Sequence, residues 1–320
     1  MRTAFIRSLM EVASQDPRIV LLTGDLGFAV LDEFRAKYPA QFYNVGVAEQ
    51  NLAGVATGLA LAGHVVFTYS IGNFPTLRCL EQLRNDVCYH NADVKIVTVG
   101  GGLSYGTLGV SHFATEDLAI LRALPNVTVV APGDPSEVAQ LVPQIVGRPG
   151  PVYLRLGRAG EKVVHAPGVE VVLGRPTRAR AGSNVLLLTA GGMLPVALEA
   201  ADLLEDDELD AEVVSVHTLK PLDTEEICAL AARFPVVVTC EEHSAIGGLG
   251  GAVAEVLLEA GIAPTFRRFA LSPGFPAGVG SQEYLRKVNA LDAPALQALV
   301  LSLTGTRRSA GPRFAARQSG

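Results

Sequence analysis

Little of this 320-residue chain is charged. Lysine, arginine, aspartate and glutamate make up 18% of it, with a net charge of −6, which leaves no basic excess for a nucleic-acid surface. No apolar run reaches the ~18 residues of a membrane span, because glycine, histidine, threonine or a charge interrupts each one. Cysteine is also scarce. Cys79, Cys88, Cys228 and Cys240 share no C-x-x-C spacing and lie in apolar surroundings, so they read as reduced core thiols, with no metal or disulfide role. The opening stretch MRTAFIRSLMEVASQD has no small-residue cleavage site and reads as an amphipathic helix, so the expected location is the cytoplasm. No repeat of fixed period is present.

What is abundant is apolar material, 49% of the residues, enough for the cores of about two domains. Short β-branched runs alternate with helical patterns. IVLLTGD (19–25), QFYNVGV (41–47), HVVFTYS (64–70), VKIVTVGGG (94–102), VTVVAPG (127–133) and VYLRLG (152–157) read as strands. LDEFRAKYP, AEQNLAGVATGLALA, LRCLEQLRNDVCYHN, ATEDLAILRALP and DPSEVAQLVPQIV read as the helices between them. Continuously apolar strands imply burial on both faces, hence an α/β fold with mostly parallel sheets flanked by helices. PGDPSE places Asp134 at a helix start with a proline just inside it.

Between about 160 and 184 the texture becomes mixed, with prolines and basic residues, and reads as a linker with a short β piece. The alternation then restarts with NVLLLTAGG, AEVVSVHTLKP, VVVTCEEHS and TFRRFAL as strands, separated by helical stretches. The expected division is a first domain at 1–165, a linker at 166–184, a second domain at 185–304 and an aperiodic, disordered tail at 305–320.

Glu49 raises the chemical question. It opens a helix that is small or apolar nearly all round, in NVGVAEQNLAGVATGLALAG. Acids are favoured in the first turn of any helix, where they meet exposed amides and the helix dipole. This helix is buried, however, so its first turn lies near a core. A carboxylate there is costly to ionise unless a partner compensates. Buried acids at a helix start facing a cleft are suited to proton chemistry. Neighbouring segments add Phe67, Tyr69 and Phe74 after a strand, Arg78 on the next helix, His112 at the end of a glycine-rich loop, and Arg155 and Arg158 at a strand end. In an open parallel sheet, ligands bind at the carboxyl ends of strands, where these residues fall.

GDLGF, NVGVAEQN, YSIGNF with LEQLRNDV, GLGVSH and VYLRLGR together resemble the pyrimidine-binding domain of transketolases. LLLTAGGM, VHTLKPLD and EEHSAIGGLGGAVAE resemble their C-terminal domain, and that of the β subunits of 2-oxo acid dehydrogenases. The resemblance implies thiamine diphosphate as cofactor. It gives Glu49 the role of hydrogen-bonding the aminopyrimidine ring nitrogen, which promotes loss of the thiazolium C2 proton. It implies Phe74 as the aromatic stacked on the pyrimidine, with Tyr69 or Phe67 as substitutes, and Asp25 near the thiazolium. Arg78, His112 and Arg155 would contact substrate, Arg155 through a sugar phosphate.

The same resemblance exposes a gap. Full transketolases carry a further N-terminal domain with GDG and a downstream Asn, which holds Mg²⁺ and the diphosphate. Gly24, Asp25 and Asn51 have nearly that spacing, but Leu26 stands in place of the second glycine. The expectation is therefore a C-terminal subunit of a split transketolase that moves a two-carbon ketol unit from a ketose (phosphate) donor to an aldose. It would be active only with a separate N-terminal subunit that brings the metal ligands, in a dimer of heterodimers. Leu108 replaces an acid that usually lies four residues before the histidine, which leaves the donor open. A 2-oxo acid dehydrogenase β subunit, a deoxyxylulose phosphate synthase and a non-catalytic scaffold subunit remain alternatives. Lys220-Pro221-Leu222-Asp223 and Glu241-Glu242-His243 invite catalytic readings, which the resemblance turns into structural or interface ones.

Overall fold

The computed structural model describes residues 1–305; the tail expected at 305–320 lies, apart from Gly305, outside the described residues. Twelve strands occur among them: β1 (Ile19–Thr23), β2 (Phe42–Asn44), β3 (Val65–Ile71), β4 (Val94–Val99), β5 (Thr128–Val130), β6 (Val152–Leu156), β7 (Thr177–Arg180), β8 (Val185–Ala190), β9 (Ala211–Ser215), β10 (Thr218–Lys220), β11 (Val236–Ser244) and β12 (Thr265–Leu271). One sheet runs β10-β5-β6-β4-β3-β1-β2 and the other β12-β11-β8-β9-β7. Only the β10 and β7 pairings are antiparallel. The expected pair of mostly parallel, helix-flanked sheets is thus present, and the short β piece in the 166–184 segment is β7.

The continuously apolar strands explain the layers. Ile19 and Leu21 of β1, with Phe67 and Tyr69 of β3, face a core formed with helices Arg2–Ala13 and Pro135–Val146. Val20, Leu22 and Val66 point the other way, toward helix Glu49–Leu61. Each buried aliphatic or aromatic side chain contributes roughly 1.5–3 kcal/mol relative to exposure. The second core is not closed off from the first. The cluster holding Leu52 and Ala56 continues through Leu118 and Leu121 to Leu186, Ile227 and Leu249.

Three local features differ from the sequence expectation. AEVVSVHTLKP is not one strand: β9 stays in the second sheet, while β10 crosses to the first and covers the edge of β5. Val216 N donates to Thr189 O (2.8 Å) and Ala131 N to His217 O (2.7 Å), so the crossing residues are bonded to each sheet in turn. The single helix expected after Phe74 is instead a 3-10 turn, Leu77–Cys79, a short α segment, Leu80–Gln82, and a π-helical stretch, Leu83–Cys88. Its wider turn keeps Leu83, Val87 and Cys88 together on the buried side. Two helices, Gln282–Val288 and Ala293–Thr304, go beyond the expected elements. The second starts at an Asp292 cap followed by proline and ends at left-handed Gly305, signals that are present in the sequence.

Asp134 caps its helix as expected, accepting from Glu137 N at 2.8 Å through Oδ1. Its Oδ2 accepts from Val164 N (2.9 Å) and His165 N (3.2 Å), strapping the linker to that helix start. Glu137 continues the strap, bonding His165 Nε2 at 2.7 Å and accepting from Gly133 N at 2.6 Å. Replacing the fully buried Asp134 by alanine strands several donors at once. Asp134→Ala is expected to lower unfolding free energy by about 2–4 kcal/mol, read from urea denaturation, with Asp134→Asn losing less. A loss below about 0.5 kcal/mol would show that the cap and strap carry no stability.

Candidate active site

The carboxyl ends of β1, β3 and β4, neighbours in the first sheet, deliver the candidate residues, and the β2-to-helix turn adds Glu49. Asp25 follows β1 with φ 61°, a left-handed position held from both sides by Asn44. Asp25 N donates to Asn44 Oδ1 (3.0 Å), and Asn44 Nδ2 donates to Asp25 Oδ1 (2.9 Å). The same Asn44 oxygen accepts from Gly46 N at 3.0 Å, shaping the turn that leads into Glu49. Asn44 had no role in the sequence expectation, although it opens the NVGVAEQN stretch.

Glu49 is the first residue of its helix and is 2% exposed, as the apolar character of that helix implies. Its compensating partner is Arg78, whose Nη1 donates to Oε2 at 2.7 Å. Glu49 Oε1 has no hydrogen bond among the described residues. It faces Gly24, where an added Cβ would stand 3.8 Å away. The Arg78 side chain remains 46% exposed, and its guanidinium lies 4.3 Å from the centre of the Phe74 ring. The imidazole of His112 meets the same ring edge-on, with centroids 5.0 Å apart. Ser111 Oγ lies 3.0 Å from His112 Nδ1. Burial first, and the Arg78 cation second, hold the His112 pKa below its ordinary value. Glu49, Phe74, Arg78 and His112 therefore form one contiguous cluster.

Three residues expected at the site are placed otherwise. Tyr69 is 1% exposed and stacks on Phe5 in the core beneath helix Arg2–Ala13, and Phe67 shares that core. Strand alternation turns both away from Glu49, and Phe74 is the aromatic that lies with Arg78 and His112. Arg155 does not offer a free guanidinium. It is 4% exposed; Nε donates to Asp117 Oδ2 (2.8 Å), and Nη2 donates to Ala114 O (2.6 Å) and Glu242 O (3.0 Å). Three residues on, exposed Arg158 lies 5.5 Å from the Tyr105 ring centre. Both arginines line a cleft of about 380 Å³ between the two sheets' strand ends.

The cluster fits an aminopyrimidine. Glu49 keeps an unbonded carboxyl oxygen for a ring nitrogen, and the Phe74 face already accommodates a flat cationic group. The group lying there is an exposed, flexible side chain that can move aside. Among the described residues no group of three or more His, Cys, Asp or Glu could hold a metal ion. No helix is long and apolar enough to cross a membrane among them either.

Both halves of the chain are similar to known proteins. The family model of the transketolase pyrimidine-binding domain matches residues 1–160, and that of the transketolase C-terminal domain matches residues 174–293. The chain is 38% identical over 260 residues to one of the subunits of an apulose-4-phosphate transketolase from Phocaeicola vulgatus, covering 81% of this chain and 83% of the relative. It is 37% identical over 294 residues to a 6-deoxy-6-sulfo-D-fructose transketolase subunit from Clostridium sp., covering 92% and 91%. A solved split-gene transketolase, described as an inactive β4 tetramer, superposes with a TM-score of 0.86 at 38% identity, covering 96% of this chain and 99% of that one.

The geometry around His112 makes one measurement decisive. Its imidazole should titrate below about 6.5 and be neutral at pH 7, gaining its proton only as the pH falls further. Arg78→Gln removes the cation but little of the burial, so the midpoint should rise part of the way toward 6.5 in an NMR titration. An unchanged midpoint would mean that His112 does not sense Arg78.

Proposed function

The chain belongs to the transketolase family, and from that premise we propose that it is the C-terminal subunit of a heteromeric thiamine diphosphate-dependent transketolase. In this reading it transfers a two-carbon ketol unit from an anionic ketose donor to an aldose acceptor in the cytoplasm. The observation that carries the reading is the buried Glu49 carboxyl, with Oε2 bonded to Arg78, whose guanidinium lies over the Phe74 ring, and Oε1 left without a hydrogen bond among the described residues. When bound, thiamine diphosphate supplies an electron sink for the two-carbon carbanion.

This chain's residues do the rest at the pyrimidine end. Glu49 Oε1 shares a proton with the ring nitrogen, and a buried carboxyl flanked by apolar residues suits that exchange. In the unliganded chain Arg78 holds the carboxyl group through Oε2, and it yields the Phe74 face when the ring binds. Phe74 supplies a face for stacking and fixes the ring plane. His112, neutral at pH 7, offers a hydrogen bond to donor oxygens. Arg78 and Arg158 are exposed cations that can meet an anionic group on the donor, and Asp25, held by Asn44, would lie toward the thiazolium. Relatives acting on apulose 4-phosphate and on a sulfonated fructose support a donor with such a group.

A partner subunit fits the surface around the site. Each loop that brings a candidate residue also exposes a large apolar one: Phe28 (76%) beyond Asp25, Val47 (75%) before Glu49, Leu77 beside Arg78 and Val110 near His112. Such residues at loop tips call for a covering surface. We assign that surface to an N-terminal subunit carrying the Mg²⁺ and diphosphate ligands, and the whole to a dimer of heterodimers. The inactive β4 tetramer of a related split-gene chain supports a subunit that self-associates and is idle without its partner.

The test is turnover with and without the co-purifying partner. The single chain should show none, and the assembled enzyme should transfer the ketol unit. Glu49→Gln in the assembled enzyme should lower kcat by about 10²–10⁴-fold. Turnover by the chain alone, or full activity of Glu49→Gln, would overturn the reading.

A further inference from the structure

We propose that the second domain positions the catalytic loop of the first, with Glu242 as the positioning residue that holds the loop bearing His112. The proposal rests on the reading of His112 given above, and Glu242 acts in it through the loop.

The loop leaves the first sheet after β4 and returns at Ala114. Gly102 and Ala114 close it, exchanging N–H to O bonds of 2.9 and 3.0 Å. Inside that closure, Leu103 and Phe113 stand at either end. Both are buried in the core of the second domain, among Val185, Met193 and Leu285. The loop therefore belongs to the first domain by chain and to the second by packing.

Polar contacts repeat the pattern. Glu242, on β11 and 2% exposed, accepts from Leu103 N at 2.6 Å. Gln282 Nε2 donates to both Glu242 carboxyl oxygens (2.8 and 3.1 Å) and to Ser104 Oγ (3.2 Å). Arg286 Nε donates to Glu242 Oε2 as a charge-assisted bond. Gly280 N donates to Gly106 O at 3.1 Å. At the far end of the loop, Arg155 Nη2 reaches both Ala114 O and the Glu242 carbonyl. The fit leaves no room for side chains. A Cβ on Gly102, at φ +65°, would lie 2.4 Å from Glu242 Oε1, and one on Gly106 would lie 2.5 Å from Gly280 O.

His112 sits one residue before buried Phe113, so the anchor sets where its ring meets Phe74. Loss of the Glu242 carboxyl group leaves Leu103 N–H and Arg286 Nε without their acceptor, Arg286 keeping only its Nη2 bond to Gly192 O, which frees the loop at its base. Holding a loop before substrate arrives removes an ordering cost from the reaction, and small misplacements of a reacting group are expensive in rate.

Two readouts on the partner-free chain test the proposal: amide exchange at Leu103 and the His112 NMR titration. Glu242→Ala should speed exchange at Leu103 roughly tenfold or more and move the His112 midpoint up toward its ordinary value. Glu242→Gln, which keeps a carbonyl acceptor for Leu103 N, should fall between Glu242→Ala and wild type. Val142→Ala, a cavity variant in the other core, controls for general destabilisation and should leave the His112 midpoint in place. An unmoved midpoint in Glu242→Ala, or an equal shift in Val142→Ala, would overturn the proposal. Neither readout requires turnover, so failure of the ketol-transfer reading remains distinguishable. In the assembled enzyme, Glu242→Ala should lower kcat/KM while Glu242→Gln recovers part of it.

Discussion

The guanidinium of Arg155 is where the molecule is tied together. It projects from β6, is almost wholly buried, and bonds the Asp117 carboxylate, the end of the His112 loop and the backbone of β11. A buried guanidinium is costly to desolvate, and it persists only when its donors are met by well-placed acceptors. Three acceptors, two in the 114–117 stretch and one on β11, meet that requirement here. The planar fork also gives direction, so the strand, the helix start at Asp117 and the second domain acquire a fixed relation. Tyr153 adds to the same knot, bridging Asp117 and Thr98.

The cluster at Glu49 is built differently. Its one ion pair joins a buried carboxyl group to a half-exposed arginine, and the arginine in turn rests on an aromatic face. Such a pair is loose on one side by construction. Arg155 gains rigidity by saturating most of its donors, while Arg78 keeps an exposed stem and can rearrange around a ligand. The two arginines thus differ in freedom, one locked between segments and the other able to move, beyond strands separated by β4.

Much of this was readable from residue order. Apolar β-branched runs marked the parallel strands, Asp134-Pro135 marked a cap, and the apolar helix after Glu49 announced a buried acid. What escaped were relations between distant segments. Nothing local in VYLRLGR separates Arg155, locked in the core, from Arg158 three residues later in the open. The distinction depends on Asp117 and Glu242, which are far away in the chain. Tyr69 looked available because it ends a strand near Phe74, yet strand alternation turns it to the opposite face. The break between β9 and β10 was hidden because both halves have the same β-branched texture, and the change of sheet is made by backbone bonds at Val216 and His217.

That change of sheet has a consequence for how the chain is made. β5 is the outer parallel strand of the first sheet, and its free side is covered only by β10. On the ribosome, β5 emerges well before Thr218–Lys220, and domains generally fold in the order in which they are synthesised. The first sheet must therefore wait with an uncovered margin until much of its successor has appeared. A bare strand margin is a template for pairing with another chain. The nascent protein is most exposed to misassembly during that interval, and the pairing of β10 with β5 ends it.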